Sequence, residues 1–412
     1  MNARSNSQTA SLATGIRPVR VFIVAQEWRS AHGGLATMNR SLSIALAAAG
    51  ASVVCLMPEV RREDYEDAAA HDVILIEARP VPGGTAQQAM LRKPVLPHGW
   101  RPDLVIGHGR VTGPEALGLT QDFFGEAKRL QVVHVAPDEI EWWKEGRTDD
   151  AGVRAQARTE LELDLAVSAH RTVAVGPRLH ARMRRDLSVH DGVPEPVRLD
   201  PGFDHTDLDV VRTPPPGGPD QVLLMGRIED YEIKGVGLAA QALAHAMRLR
   251  GPAAPKIELL VRGAPPGESA ALRERLIIEL GDAAMQVTVR PFTTDQSALR
   301  HDLLRASLLL MPSSAEGYGL VGLEGITAGT PVLLSGQSGL GQSLSGVVYP
   351  AGATGPVVPV TSDPTEDADR WGHRIAAVLE DRDAAFRRAD WLKRELAAKW
   401  TWKSAAEDLL SL

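Results

Sequence analysis

The sequence predicts an α/β protein built from two doubly wound, parallel-sheet domains in series. Three observations carry that prediction. At 412 residues the chain exceeds what one ordinary core supports, and two domains of roughly 200 residues each are the natural division. Apolar, β-rich runs alternate with helical patterns twice, on either side of an aperiodic stretch dense in Pro and Gly at residues 201–220. Finally, residues 308–335 read as strand, glycine-containing loop, helix and strand in immediate succession.

Composition narrows the function classes. A hydrophobic fraction of 44% with 24% charged residues is that of a globular protein. The formal net charge of -7 argues against a nucleic-acid binder. The single cysteine, Cys55, excludes an internal disulfide framework and any cysteine-based zinc site; it sits in an apolar run and reads as core. The first 17 residues are small and polar without a continuous apolar segment, so they read as a disordered tail and not a signal peptide. No apolar run has the length of a membrane span, which makes a cytoplasmic location the expectation. Arg-rich, Ala-, Gly- and Pro-rich usage is typical of a GC-rich bacterial genome.

Taken in order, residues 19–26 open the first domain as a strand. A loop carrying Gly33 and Gly34 and a helix stopped by Gly50 follow. Further strands are expected near residues 51–58, 72–78, 102–109, 130–137 and 171–177, the fourth and fifth ending near His108 and His134. A helical pattern fills residues 155–168. The first domain is assigned to residues 18–202, a linker to 203–219 and the second domain to 220–390. Strands of the second domain are expected around residues 221–226, 256–263, 286–292, 307–312 and 331–335. The final forty or so residues are helical and hold Trp371, Trp391, Trp400 and Trp402. Residues 339–346 match a G-x-G-x-x-G pattern loosely but open no clear helix.

In open α/β sheets ligands bind at the carboxyl ends of strands, so the chemistry is sought there. Gly317 and Gly319 permit a tight turn and close approach to a ligand, and the helix that follows offers free N–H groups to an anion. Glu316 in the loop and Glu324 in the helix suit hydroxyl groups better than phosphates. Together they describe a pocket for a phosphorylated, polyhydroxylated molecule. The plainer reading is a turn whose glycines serve the backbone and whose glutamates face water. Arg227 and Lys234 follow the strand at 221–226 and can neutralise a diphosphate, although a solvated loop explains them too. Strand-end His108 and His134 are candidates for catalysis or sugar binding, or else hydrogen-bonded structural groups. Trp142 and Trp143 can stack on a sugar or an apolar aglycone, or simply start a helix. The basic stretch 177–187 is compatible with an anionic membrane surface or an acidic acceptor, and reads better as a solvated face. Asp-x-Asp spacings at Asp207/Asp209, Asp367/Asp369 and Asp381/Asp383 follow no strand, and no metal is assigned. The dinucleotide fingerprint is missing after the first strand, and no Walker A loop or zincin motif occurs.

The conjunction is more specific than its parts. EGYGLVGLEGITAGTPVLLS closely resembles the Glu-x7-Glu signature of the retaining glycosyltransferases of family 4, which have the GT-B fold. The GR…KG pair, the Gly-Gly loop after the first strand and the closing WTWKSAAEDLL segment resemble that family as well. The resemblance implies two Rossmann-like domains facing a cleft, with residues 391–412 forming a C-terminal helix that crosses back to the first domain. It implies that Arg227 and Lys234 bind the diphosphate of a nucleotide sugar, UDP- or GDP-linked. Glu316 would lie by the transferred sugar, Glu324 would hold the ribose, and the Gly317, Tyr318, Gly319, Leu320 backbone would face the phosphates. Gly33 and Gly34 match the loop that closes over donor and acceptor. His134 matches a histidine near the sugar, with His108 second choice for that position. His108, Trp142 and Trp143 belong to the expected acceptor side. The Arg227-to-Lys234 spacing is longer than the family's usual one, so Lys234 is the less secure member, and Arg262 or Arg290 could share its task. The activity implied is metal-independent transfer of a hexosyl group with retention, to an acceptor of unspecified class and with no cofactor. The competing reading is a non-catalytic nucleotide-sugar sensor or scaffold on the same fold, which need not keep Arg227, Glu316 and Glu324 together.

Overall fold

The computed structural model describes residues 17–29, 34–143, 150–203, 210–361 and 363–412. Residues 1–16 of the N-terminal tail, Gly33 and the linker pair Asp207/Asp209 therefore lie outside the described residues.

Seven parallel strands form the first sheet: β1 Arg20–Val24, β2 Ser52–Met57, β3 Val73–Glu77, β4 Leu104–His108, β5 Lys128–Val133, β6 Arg171–Val175 and β7 Val197–Leu199. They lie in the order β3-β2-β1-β4-β5-β6-β7. The second sheet has six: β8 Asp220–Met225, β9 Ile257–Ala264, β10 Gln286–Pro291, β11 Leu308–Met311, β12 Val332–Ser335 and β13 Val357–Val358, in the order β10-β9-β8-β11-β12-β13. Each order reverses beside its first strand, at β1/β4 and at β8/β11, where a doubly wound sheet opens a crevice. Continuous apolar runs explain the burial: Phe22, Ile23 and Val24 in β1 and Leu308, Leu309 and Leu310 in β11 are covered on both faces by helices.

Two strands exceed expectation, β7 with three residues and β13 with two. Both are edge strands too short to show periodicity, and Pro194, Pro196 and Pro356 beside them hide the pattern. The segment at 339–346 is also corrected: Gly339–Ser345 is a helix, capped by Ser338 Oγ accepting from the Gly341 N–H at 2.9 Å. Glycine-rich composition masks the helix in the sequence, since each Gly costs about 1 kcal/mol relative to Ala there.

The chain end returns to the first domain. Helix Arg382–Lys399 stops at Trp400, whose carbonyl accepts from the Phe203 N–H at 2.8 Å, and their rings lie 6.0 Å apart. Thr401 then caps helix Trp402–Leu410, which packs on helix Gly34–Ala48. Leu42 and Leu46 share one apolar core with Ala405 and Leu409. Among the described residues no helix is long and apolar enough to cross a membrane.

Behind the second sheet, Asp302 is buried and accepts from Arg262 Nε at 2.7 Å and Arg290 Nη1 at 2.6 Å. Both arginines are thereby committed to the scaffold. Asp302→Ala leaves an uncompensated guanidinium beside the core, and chemical denaturation of the C-terminal domain should show a loss of about 3 kcal/mol.

Candidate active site

The site is assembled where the carboxyl ends of β1, β4 and β5 face those of β8 and β11. After β11 the chain makes a loop and enters helix Leu320–Thr327 through Gly319, whose φ of 103° only glycine adopts readily. Glu316 is set in that loop by its N–H, which donates to the Gln337 carbonyl at 3.1 Å. Its carboxylate accepts from Lys234 Nζ at 2.5 Å, with each side chain 20% exposed.

Lys234 reaches this point because the long loop after β8 is compact. Ile228, Tyr231 and Ile233 are buried, and the Lys234 N–H donates to the Asp230 carbonyl at 2.9 Å. The extra residues thus fold under the loop and return the lysine to the mouth of the sheet. Gly235 presses against the end of β11, where a Cβ would stand 2.1 Å from the Pro312 carbonyl oxygen. Of the Arg227 and Lys234 pair, Lys234, the less secure on spacing, is the one that meets Glu316. Arg227 is 48% exposed and turned onto its own acidic loop, 3.0 Å from Asp230 and 3.3 Å from Glu229. Arg262 and Arg290, expected as alternatives, are held by Asp302.

Glu324 lies half-buried in helix Leu320–Thr327, and among the described residues its carboxylate has no partner. Burial pushes its carboxyl up to about 7. A glutamate so placed is costly unless a ligand supplies hydrogen-bond donors.

Across the cleft, Gly317 sits against the first domain: a Cβ there would approach the His134 carbonyl oxygen to 2.0 Å. Gly34, the first residue of its helix, faces Leu320 in the same way, at 2.9 Å. Tyr318 is buried with its ring over Gly176, so its side chain joins the domains. Arg178 adds a polar strut, donating to the Gln337 carbonyl at 2.6 Å and to Glu139 at 2.7 Å.

The two histidines form one unit. His134 Nε2 lies 2.9 Å from His108 Nδ1, and His108 Nε2 lies 3.2 Å from Asn39 Oδ1. Asn39 in turn donates Nδ2–H to Cys55 Sγ at 3.7 Å. With the amide so oriented, His108 donates from Nε2 and accepts at Nδ1, and His134 is left with Nδ1 as its acceptor. Burial pushes His134 down to about 4, and burial together with the neighbouring His134 holds His108 well below its ordinary value, so the pair is neutral at pH 7. His108 is fully buried, which corrects its expected place on an exposed acceptor surface; it lies behind His134 and hydrogen-bonds to it. Asn39 gave no sequence signal, being one polar residue on an apolar helix face.

Trp142 and Trp143 are 61% and 44% exposed, beyond the end of β5. The basic stretch is not a free cationic face: Arg178 and Arg182 pair with Glu139, Asp138 and Asp186, and Leu179, Met183 and Leu187 are buried. Asp367 accepts from the Thr361 N–H at 2.7 Å and from Arg370, while Asp381 caps a helix, so both have structural partners.

A two-domain GT-B architecture with this signature loop between its sheets defines a glycosyltransferase. The family model for "Family 4 Glycosyltransferase in conflict systems" matches residues 22–409, and the chain belongs to that family. It is 26% identical over 417 residues to glycogen synthase of Mycobacterium tuberculosis, covering 94% of this chain and 92% of the relative. It is 30% identical over 230 residues to D-inositol 3-phosphate glycosyltransferase of Mycobacteroides abscessus, covering 55% of this chain and 48% of that protein. Among solved structures, sucrose-phosphate synthase from Thermosynechococcus elongatus superposes with a TM-score of 0.67 at 22% identity, over 95% of this chain and 98% of the other. Anabaena HepE in complex with UDP-glucose superposes at 0.64 with 16% identity, over 95% of this chain and 100% of the other.

The Glu324 shift has a signed consequence. Its folded pKa lies above the unfolded value, so stability from this group is present below pH 4.5 and is lost as pH rises toward 7. The depressed His134 acts oppositely: it costs stability as pH falls from 6.5 to about 4. Glu324→Gln should therefore stabilise the ligand-free protein at pH 8 by about 1–3 kcal/mol and leave it unchanged near pH 4, as read by denaturant titration at the two pH values.

Proposed function

We propose that this glycosyltransferase moves a hexosyl group from a nucleotide-diphosphate sugar, UDP- or GDP-linked, to an acceptor hydroxyl, with retention and without a metal ion. The observation that carries the reading is Lys234 paired with Glu316 at 2.5 Å while Glu324, on the next helix, has no partner among the described residues. One shared carboxylate, one cation and one unfilled carboxylate match, in order along a donor, its sugar, its diphosphate and its ribose. The neighbour holding UDP-glucose supports the class of donor.

The chemistry follows from charge development. As the bond from the anomeric carbon to the diphosphate breaks, negative charge grows on the phosphate oxygens and the sugar becomes oxocarbenium-like. Lys234 and the free N–H groups entering helix Leu320–Thr327 face that charge. Arg227 joins them by leaving Asp230, a surface ion pair worth no more than about 1 kcal/mol. Lys234 then trades part of its bond to Glu316 for a phosphate, which frees Glu316 to accept from sugar hydroxyls. Glu324 accepts from the ribose hydroxyls. His134, neutral and oriented through His108 and Asn39, accepts a sugar hydroxyl at Nδ1. The acceptor attacks on the face that the diphosphate leaves, and the departing phosphate oxygen takes its proton. No carboxylate serves as nucleophile. Trp142 and Trp143 are assigned to the acceptor side, where rigid exposed aromatic rings suit a sugar or apolar aglycone.

A non-catalytic sensor would bind donor without turning it over. Incubation with UDP-, GDP-, ADP- and dTDP-sugars separates the two readings: slow release of free sugar from one donor is expected, and binding without hydrolysis or transfer to any acceptor would refute catalysis. Lys234→Ala and Arg227→Ala should each lower donor turnover at least about 100-fold while the circular dichroism spectrum is unchanged. Near-normal turnover in either variant would remove that residue from the mechanism.

A further inference from the structure

The second domain holds another cavity, of about 640 Å³, outside the cleft. It opens between helix Pro364–Glu380, helix Arg382–Lys399 and the loop 349–356. Three guanidinium groups line it, those of Arg374, Arg387 and Arg388. Arg374 is half-buried and bonds the Gly355 carbonyl, and none of the three meets a carboxylate among the described residues. Arg262 is neutralised by Asp302 and Arg250 by Asp220, while Arg129 and Arg212, which also lack a carboxylate among the described residues, each bond several carbonyl and hydroxyl oxygens. Asp381 also lines the cavity, but one of its carboxylate oxygens already caps helix Arg382–Lys399. Two aromatic residues line it as well, Tyr349 and, one turn beyond Arg387 and Arg388 on the same helix, Trp391, with ring centroids 5.6 Å apart.

We propose that this cavity binds a small organic phosphate whose phosphoryl group is held by Arg374, Arg387 and Arg388 and whose ring lies on Tyr349 and Trp391. The volume is that of an ordinary small-molecule site, and clustered arginines favour planar, multidentate recognition of phosphate. The proximity of Arg388 lowers the pKa of Arg374, following the larger effect of burial, as expected for cations that lack a counter-ion. The site is also mechanically placed. Ile326, two residues beyond Glu324, lines its inner wall. Helix Arg382–Lys399, on its outer side, leads directly to the Trp400 crossing onto the first domain. A ligand here therefore touches both the donor-site helix and the segment that joins the domains, and it acts as a regulator of transfer. This site does not depend on the donor assignment.

Isothermal titration of the full chain with phenyl phosphate and with inorganic phosphate tests it. Phenyl phosphate should bind saturably, at least about tenfold more tightly than inorganic phosphate, one factor of ten being about 1.4 kcal/mol. The double variant Arg387→Ala/Arg388→Ala should weaken it at least tenfold, while Arg227→Ala leaves it unchanged. No saturable binding, or binding lost in Arg227→Ala and retained in the double variant, would overturn the proposal and place the phosphate in the cleft instead. Basal donor turnover should be equal in the double variant and the native protein, and phenyl phosphate should change turnover only in the native protein. Equal changes in both would overturn the regulatory role.

Discussion

The loop that carries the signature has no room for side chains on either flank. A Cβ at Gly235 would meet the Pro312 carbonyl at 2.1 Å, and one at Gly317 would meet the His134 carbonyl at 2.0 Å. The first contact fixes the turn after β8 on the end of β11 and so delivers Lys234 to Glu316. The second brings the first domain's backbone onto the signature loop, next to His134. The site is thus made by backbone close approach, with charged side chains filling what is left. Larger residues at these two positions would separate the elements before they altered any charge.

The electrostatics of the cleft follow from that crowding. Lys234 and Glu316 neutralise each other, which lets both sit four-fifths buried without a large penalty. Glu324 has no such partner among the described residues, and burial raises its pKa. The histidine pair takes another route, staying neutral and passing hydrogen bonds back to Asn39. Three solutions to burying polarity stand side by side, and among the described residues the Glu324 carboxylate and the His134 Nδ1 are left unsatisfied. Such a group marks where binding energy is to be gained.

Much of the fold was legible because long strands advertise themselves. Runs such as VRVFIV and SLLLM have the composition that only a doubly covered parallel strand tolerates. The edge strands β7 and β13 were not legible, since two or three residues carry no period. The signature loop identified itself through the joint spacing of glycines and glutamates. What the sequence concealed were side-chain directions. His108 and His134 look alike as strand-end histidines, yet one is sealed behind the other. Arg178, in a stretch that reads as solvated, spans the domains because acidic residues distant in sequence, such as Glu139, meet it. Lys234 looked displaced by an insertion whose apolar residues in fact bury themselves and restore it.

We propose that Lys234 and Glu316 act as a coupled pair, each releasing the other to the donor. A double-mutant cycle on donor turnover with Lys234→Met, Glu316→Gln and the combined variant tests this directly. Coupling predicts that the double variant is scarcely slower than the slower single variant. Strictly multiplicative losses would show that the two residues work independently and would contradict the account.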